Sequence, residues 1–134
     1  MAKRPSEPHW LSRVVVDAIH TEQISEHGGL SGVRDETALE SALARPQQKW
    51  NYAQKVDVAL LAAAYGFGLV KNHPYRDGNK RIGFLSIITF LGLNGHDLDA
   101  TDAEVISEML ALADGRVSEA ELAEWIRRHS GKRR

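Results

Sequence analysis

His73-Pro74-Tyr75-Arg76-Asp77-Gly78-Asn79-Lys80-Arg81 is the stretch on which the reading of this chain turns. It packs an imidazole, a carboxylate, cations, a glycine and an amide between the two most apolar segments of the sequence. Residues 56–70 precede it with Asp57 as their only charged side chain, and residues 82–93 follow it with no charge at all. Polar groups set among buried elements are costly unless they find partners. Both flanking segments are apolar nearly all round at helical length, which belongs to helices inside a core. Two buried helices joined by a polar loop predict an all-α fold.

Working outward, Pro74 disfavours helix at His73 and Gly78 frees the backbone, so residues 73–78 form a structured turn. The helix before the turn spans residues 56–72, where Gly66 and Gly68 lower helix propensity and serve close helix-helix approach. The helix after it starts at Asn79, a favoured N-cap, and ends at Asn94-Gly95 as a left-handed C-cap. Residues 10 to about 26 read as a helix with Trp10, Val14, Ala18 and Ile24 on one face, and with His20 a satisfied, non-catalytic histidine. Three glycines in five residues (Gly28, Gly29, Gly32) then break the chain. Residues 34–45 return to helix until Pro46 stops it. Residues 47–55 form a polar-aromatic connection in which Trp50 and Tyr52 cap the packing. After a short linker at residues 96–99, Thr101 or Asp102 caps a fifth helix. Ser118 with Glu121, spaced as a capping box, starts a sixth carrying Leu122, Trp125 and Ile126 inward. No repeat and no alternating strand pattern of useful length appears.

The bulk numbers agree. A chain of 134 residues fits a single domain, 1–134, that buries a core without staples; residues 1–8 read as a frayed start and 130–134 as a solvated basic tail. Lys+Arg 17 against Asp+Glu 18 gives a net charge of −1, so no global field favours nucleic acid or acidic membranes. Three tail cations (Lys132, Arg133, Arg134) supply little phosphate contact, and no direct nucleic-acid binding is expected. The absence of cysteine excludes disulfides and thiolate metal sites and suits a reducing compartment. No apolar run reaches the ~18 residues of a membrane span, and no signal-peptide core follows the first residues. A cytoplasmic protein with no membrane partner is the expectation.

The loop's chemistry follows from one broken local rule. Lys80 and Arg81 fall in the first turn of a helix, where the dipole disfavours cations. An anion would resolve the conflict, and free N–H groups with a lysine and an arginine make a phosphate site. Asp77 offers the single carboxylate by which Mg²⁺ is commonly held alongside phosphate oxygens and water. His73 can act as general base towards an incoming hydroxyl. Together these are the parts for nucleotide-dependent transfer of a phosphorus group. Three blander readings compete: an ion-pair network of Asp77 with the cations, a zinc site on His73 and Asp77, and Tyr75 as a structural anchor with a buried ring and a wet hydroxyl.

At these residues the chain resembles the Fic/Doc superfamily, and within it the death-on-curing (Doc) toxins. The superfamily motif is similar to His-x-Phe-x-Asp/Glu-Gly-Asn-Gly/Lys-Arg, with Tyr75 here in place of phenylalanine. Lys71-Asn72, the segment from His27-Gly28-Gly29 through Gly32-Val33-Arg34-Asp35, residues 39–46, and Phe90-Leu91 with Asn94-Gly95 extend the likeness across residues 10–95. The resemblance implies His73 as catalytic base and Asp77 as Mg²⁺ ligand. It implies Gly78, Asn79, Lys80 and Arg81 as the nucleotide-phosphate positions, Tyr75 as the motif's anchor, and His27, Gly28, Gly29 and Gly32 as a substrate-docking segment. The AMP-transferring Fic branch has glycine where Lys80 stands and a further arginine where Phe84 stands; Doc toxins share the lysine. The resemblance therefore implies an ATP- and Mg²⁺-dependent protein kinase that phosphorylates a threonine of elongation factor Tu and halts translation. Alternatives are a Fic-type AMP transferase acting on a protein hydroxyl and an inactive binding module of the same fold. The Ser/Thr-x-x-x-Glu-Gly/Asn inhibitory helix of some Fic proteins does not occur in the sequence, which points to restraint in trans by a cognate antitoxin.

Overall fold

The computed structural model describes residues 6–133. The elements run α1 (Arg13–His27), α2 (Glu36–Tyr52), α3 (Val58–Asn72), α4 (Asn79–Leu93), β1 (His96–Leu98), α5 (Asp102–Ala113), α6 (Glu119–His129) and β2 (Ser130–Lys132). The all-helical expectation holds, and no helix among the described residues is long and apolar enough to cross a membrane.

Helix α3 is the axis of the molecule, with ten of its 15 residues buried and with α2, α4 and α6 packed around it. Its small residues make this possible. A Cβ on Gly68 would stand 3.1 Å from the Ala42 Cα of α2, and one on Gly83 of α4 would stand 2.7 Å from Val70 Cγ2 of α3. The backbones therefore approach as closely as the glycines predicted. Each of Leu61, Leu69, Ile82, Ile87 and Phe90 is sealed from solvent, a contribution of about 1.5–3 kcal/mol per side chain. Ion pairs tie the outer helices to this core: Arg45 of α2 to Glu119 of α6 at 2.6 Å, and Arg127 of α6 to Asp57, the N-cap of α3, at 2.6 Å. The capping boxes of α5 (Thr101 with Glu104) and α6 (Ser118 with Glu121) form as their spacing predicts.

Several local expectations fail, each for a physical reason. Ser12 caps α1, so Trp10 lies outside the helix and the buried face becomes Val16 and His20; Val14 is 77 % exposed. Pro46 does not stop α2, which continues to Tyr52. A proline inside a helix costs about 3 kcal/mol, and burial of the Pro46 ring offsets part of that. The continuation keeps Trp50 against Trp10, edge to face at 6.3 Å, but leaves Tyr52 84 % exposed rather than capping anything. Residues 96–98 are not a linker but β1, paired antiparallel with β2 in the supposed solvated tail. Arg133 N–H donates to the Gly95 carbonyl at 2.7 Å and closes that ribbon. Of the expected frayed start, residues 1–5 lie outside the described residues, as does Arg134; Glu7 accepts a hydrogen bond from Trp10 and His9 is held by Asn94.

Candidate active site

The loop between α3 and α4 is built by opposing helix ends. His73 terminates α3 in the left-handed region (φ 51°, ψ 52°), the one described non-glycine residue with positive φ. Such backbone costs of order 1 kcal/mol and persists where neighbours fix it. Arg34 fixes it: its Nε–H donates to the His73 carbonyl at 2.9 Å and its Nη2–H to the Asn72 carbonyl at 3.1 Å. A guanidinium here also sits well at the negative end of the helix dipole. Pro74 accepts from the Arg34 and Asp35 amides at 2.8 and 3.0 Å, and Arg76 N–H donates to the Gly32 carbonyl at 3.1 Å. Val33 and Tyr75 thereby form an antiparallel bridge. The glycine-rich segment is thus docked on the back of the loop.

Tyr75 is buried and its ring stacks on His20 at 3.8 Å and 12°. The wet hydroxyl expected for it is not found: Oη–H donates to Asp17 Oδ1 at 2.7 Å. Burial, reinforced by that hydrogen bond, pushes the phenol well above its ordinary range. Asp17 in turn pairs with Arg13 at 2.8 Å, and Arg13 with Glu36 at 2.8 Å.

Asn79 does something other than capping. It is the first residue of α4, behind Gly78 (φ 76°) at the cap position, and no side chain caps this helix. Its buried carboxamide instead folds back over the turn, accepting from Tyr75 N–H and donating to the Tyr75 carbonyl, both at 3.0 Å. The amides of the first turn of α4 are left free of side-chain caps, as an anion would require.

A cavity of about 400 Å³ opens at this point, lined by His73, Asp77, Gly78, Asn79, Lys80 and Arg81, with Val70 and Ala113 as its apolar wall. Six of the predicted site residues are therefore brought together. Tyr75 lies behind them as a prop. His27 is exposed, beside Glu26 at 3.7 Å, and does not line the cavity. Gly29 and Gly32 do touch the loop: a Cβ on Gly29 would stand 3.2 Å from Asp77 Oδ2. Leu30 N–H already donates to that oxygen at 2.8 Å.

Among the described residues Asp77, Lys80 and Arg81 form no ion pair. An ion-pair network is thus not what places these charges. Nor do the described residues contain a group of three or more His, Cys, Asp or Glu placed to hold a metal ion by themselves. One half-buried carboxylate beside free N–H groups and two cations suits a cation that arrives with phosphate oxygens, the usual manner of Mg²⁺. Residue-by-residue reading missed three supports of this site: His20, Arg34 and Asp17. Arg34 carried a signal, a cation directly after a glycine-rich break; His20 and Asp17 carried none beyond helix periodicity.

An all-helical domain with this histidine-to-arginine loop at the start of a buried helix belongs to the Fic/DOC family, whose model matches residues 10–91. Within the family the chain is of the Doc type. It is similar to the "Protein kinase doc" of Escherichia phage P1, 30% identical over 115 residues that cover 85% of this chain and 90% of the relative. It is also similar to the "Toxin Doc" of Mycolicibacterium smegmatis, 37% identical over 95 residues, 65% of this chain and 71% of the relative.

Proposed function

We propose that this protein is a Doc-type toxin that transfers the γ-phosphoryl group of ATP to a protein hydroxyl, a threonine of elongation factor Tu, and so inhibits translation in the cytoplasm. The observation that carries the reading is the shared cavity, in which a base, a carboxylate, helix-start amides and two cations with no ion pair among the described residues converge. His73 accepts the proton of the attacking hydroxyl as its oxygen bonds to phosphorus and the bond to the departing ADP breaks. Lys80, Arg81 and the amides of Gly78 and Asn79 bind the phosphate oxygens and stabilise the charge that develops there. Asp77 would hold Mg²⁺, which supplies charge neutralisation between phosphates. Lys80 supports phosphoryl over nucleotidyl transfer, because it fills and charges the place where glycine lets the backbone close on a phosphate.

A separate antitoxin would restrain the activity. Its seat, in this reading, is the apolar groove of about 300 Å³ lined by Phe84, Val105, Ile106, Met109 and Leu110 together with Lys80 and Arg81. An apolar helix laid there would reach both cations.

The test is transfer to elongation factor Tu from ATP labelled at the γ-phosphate or on adenine. Label from the γ-phosphate alone is expected; adenine label on the target would replace the kinase by an AMP transferase. His73→Ala should lower the rate about 10²–10⁴-fold with the fold intact. Growth arrest undiminished by that change would instead mark an inactive binding module.

A further inference from the structure

Apart from the tyrosines and a tryptophan of the core, the buried polar side chains among the described residues are His20, Asn79 and Ser86. Asn79 and His20 both direct their polar atoms at the loop, yet His20 comes from α1, 57 positions away in sequence. Its Nε2 lies 2.8 Å from the Asp77 carbonyl oxygen. A carbonyl only accepts, so Nε2 carries the hydrogen and donates. The ring lies flat on Tyr75, and a Cβ on Gly78 would stand 3.7 Å from Nε2. His20 is therefore a plate beneath residues 75–78, with one hydrogen bond fixing the peptide between Asp77 and Gly78.

That peptide has two possible senses. A trans peptide is planar, and its C=O and N–H point in opposite directions. Holding the Asp77 oxygen on the buried His20 sends the Gly78 N–H the other way, to the side on which Gly78 lines the cavity. Among the described residues this N–H has no hydrogen-bond partner. With the peptide flipped, a carbonyl oxygen would face an arriving anion. Gly78, at φ 76° and without a side chain, is well able to turn. The sequence of the loop therefore does not by itself choose the sense that favours an anion.

We propose that His20 is a positioning residue of this site: it holds the Asp77 carbonyl inward so that the Gly78 N–H of the same peptide is presented to a phosphate. This rests on the reading of the loop as a phosphate site. Two substitutions separate the hydrogen bond from the packing. His20→Phe keeps a flat ring on Tyr75 and removes the donor; His20→Gln keeps a donor and removes the ring.

The probe is sodium tripolyphosphate with Mg²⁺, titrated into the ¹⁵N-labelled full chain and followed by amide spectra, with thermal unfolding of each variant as a folding control. In the parent the Gly78 amide is expected to shift on titration together with those of Lys80 and Arg81. His20→Phe should bind at least about tenfold more weakly, as loss of a hydrogen bond to a charged ligand implies, and its Gly78 amide should no longer respond. His20→Gln should stay within about threefold of the parent, given the retained donor. A parent that does not bind the probe removes the phosphate-site reading and this proposal with it. A parent that binds while its Gly78 amide stays still overturns the proposal alone, whatever the variants do. Equal binding by His20→Phe, or loss only in His20→Gln, would do the same by assigning His20 to packing.

Discussion

Gly83→Ala tests the crossing that holds the two helices of the site together. The new Cβ would lie 2.7 Å from Val70 Cγ2, 3.3 Å from the Gly66 carbonyl oxygen and 3.5 Å from Met109 Cε. Val70 cannot easily swing aside, because a valine in a helix has essentially one χ1 rotamer. Alanine gains about 1 kcal/mol of helix propensity over glycine, whereas overpacking a close contact costs about 1–3 kcal/mol. The net expectation is a loss of about 1–2 kcal/mol. At a urea slope of about 1.5 kcal/mol/M, the equilibrium unfolding midpoint falls by roughly 1 M with the slope unchanged. Relief should come from the partner: in a Val70→Ala background the penalty should shrink by about 1 kcal/mol, a coupling of the size that touching residues show. Val70 also lines the cavity, so the strain is placed where activity can report it. A variant as stable as the parent, or a penalty that Val70→Ala leaves unchanged, would refute the close-approach argument.

Tyr75→Phe should cost about 1 kcal/mol, below the ~1.5–3 kcal/mol of a bond to a charged acceptor, because Asp17 keeps Arg13 and its side chain is 40% exposed. The phenol's raised pKa means that its stabilisation is complete below the unfolded value of about 10 and is lost as pH rises above it. Urea midpoints above pH 10 should therefore fall more steeply for the parent than for the phenylalanine variant. Asp57 accepts from Leu60 N–H at 2.9 Å and from Arg127 at 2.6 Å, and the guanidinium chiefly holds its carboxyl below the usual range. Asp57→Asn keeps a good cap and should lose about 0.2–1 kcal/mol at neutral pH, while Asp57→Ala should lose about 1 kcal/mol more. A depressed carboxyl stabilises above its unfolded value of about 3.9 and ceases to as pH falls through the folded one. The gap between parent and Asp57→Asn, measured by urea unfolding, should thus narrow as pH falls below about 3.9.

Much of this molecule was readable from its residues because periodicity and burial agreed. An apolar segment broken by Gly66 and Gly68 could only be a core helix, and Ser118 with Glu121 could only start one. The failures lie where tertiary contacts outvote local preference. Pro46 would end an isolated helix, but its ring finds a buried place and α2 runs on. Three consecutive valines give α1 no phase, so the sequence could not say that Val14 faces water and Val16 the core. Ribbon pairing between residues 96–98 and 130–132 is too short and too distant to show as alternation. Within the site the nine-residue loop announced its own members, whereas Asp17 and His20 acquire meaning only from being folded beneath it.

The two docked backbones have one further consequence. Residues 32–35 and 74–76 share their hydrogen bonds, Arg34 and Asp35 with Pro74 and Arg76 with Gly32, while Asn79 clasps Tyr75 from the other side. Neither strip can detach without stripping the other of partners. Amide hydrogen exchange at Arg34, Asp35, Tyr75 and Arg76 should therefore report a single opening free energy, as one cooperative unit of the native state. The glycine-rich segment and the loop between α3 and α4, about forty residues apart in sequence, would open and close as one.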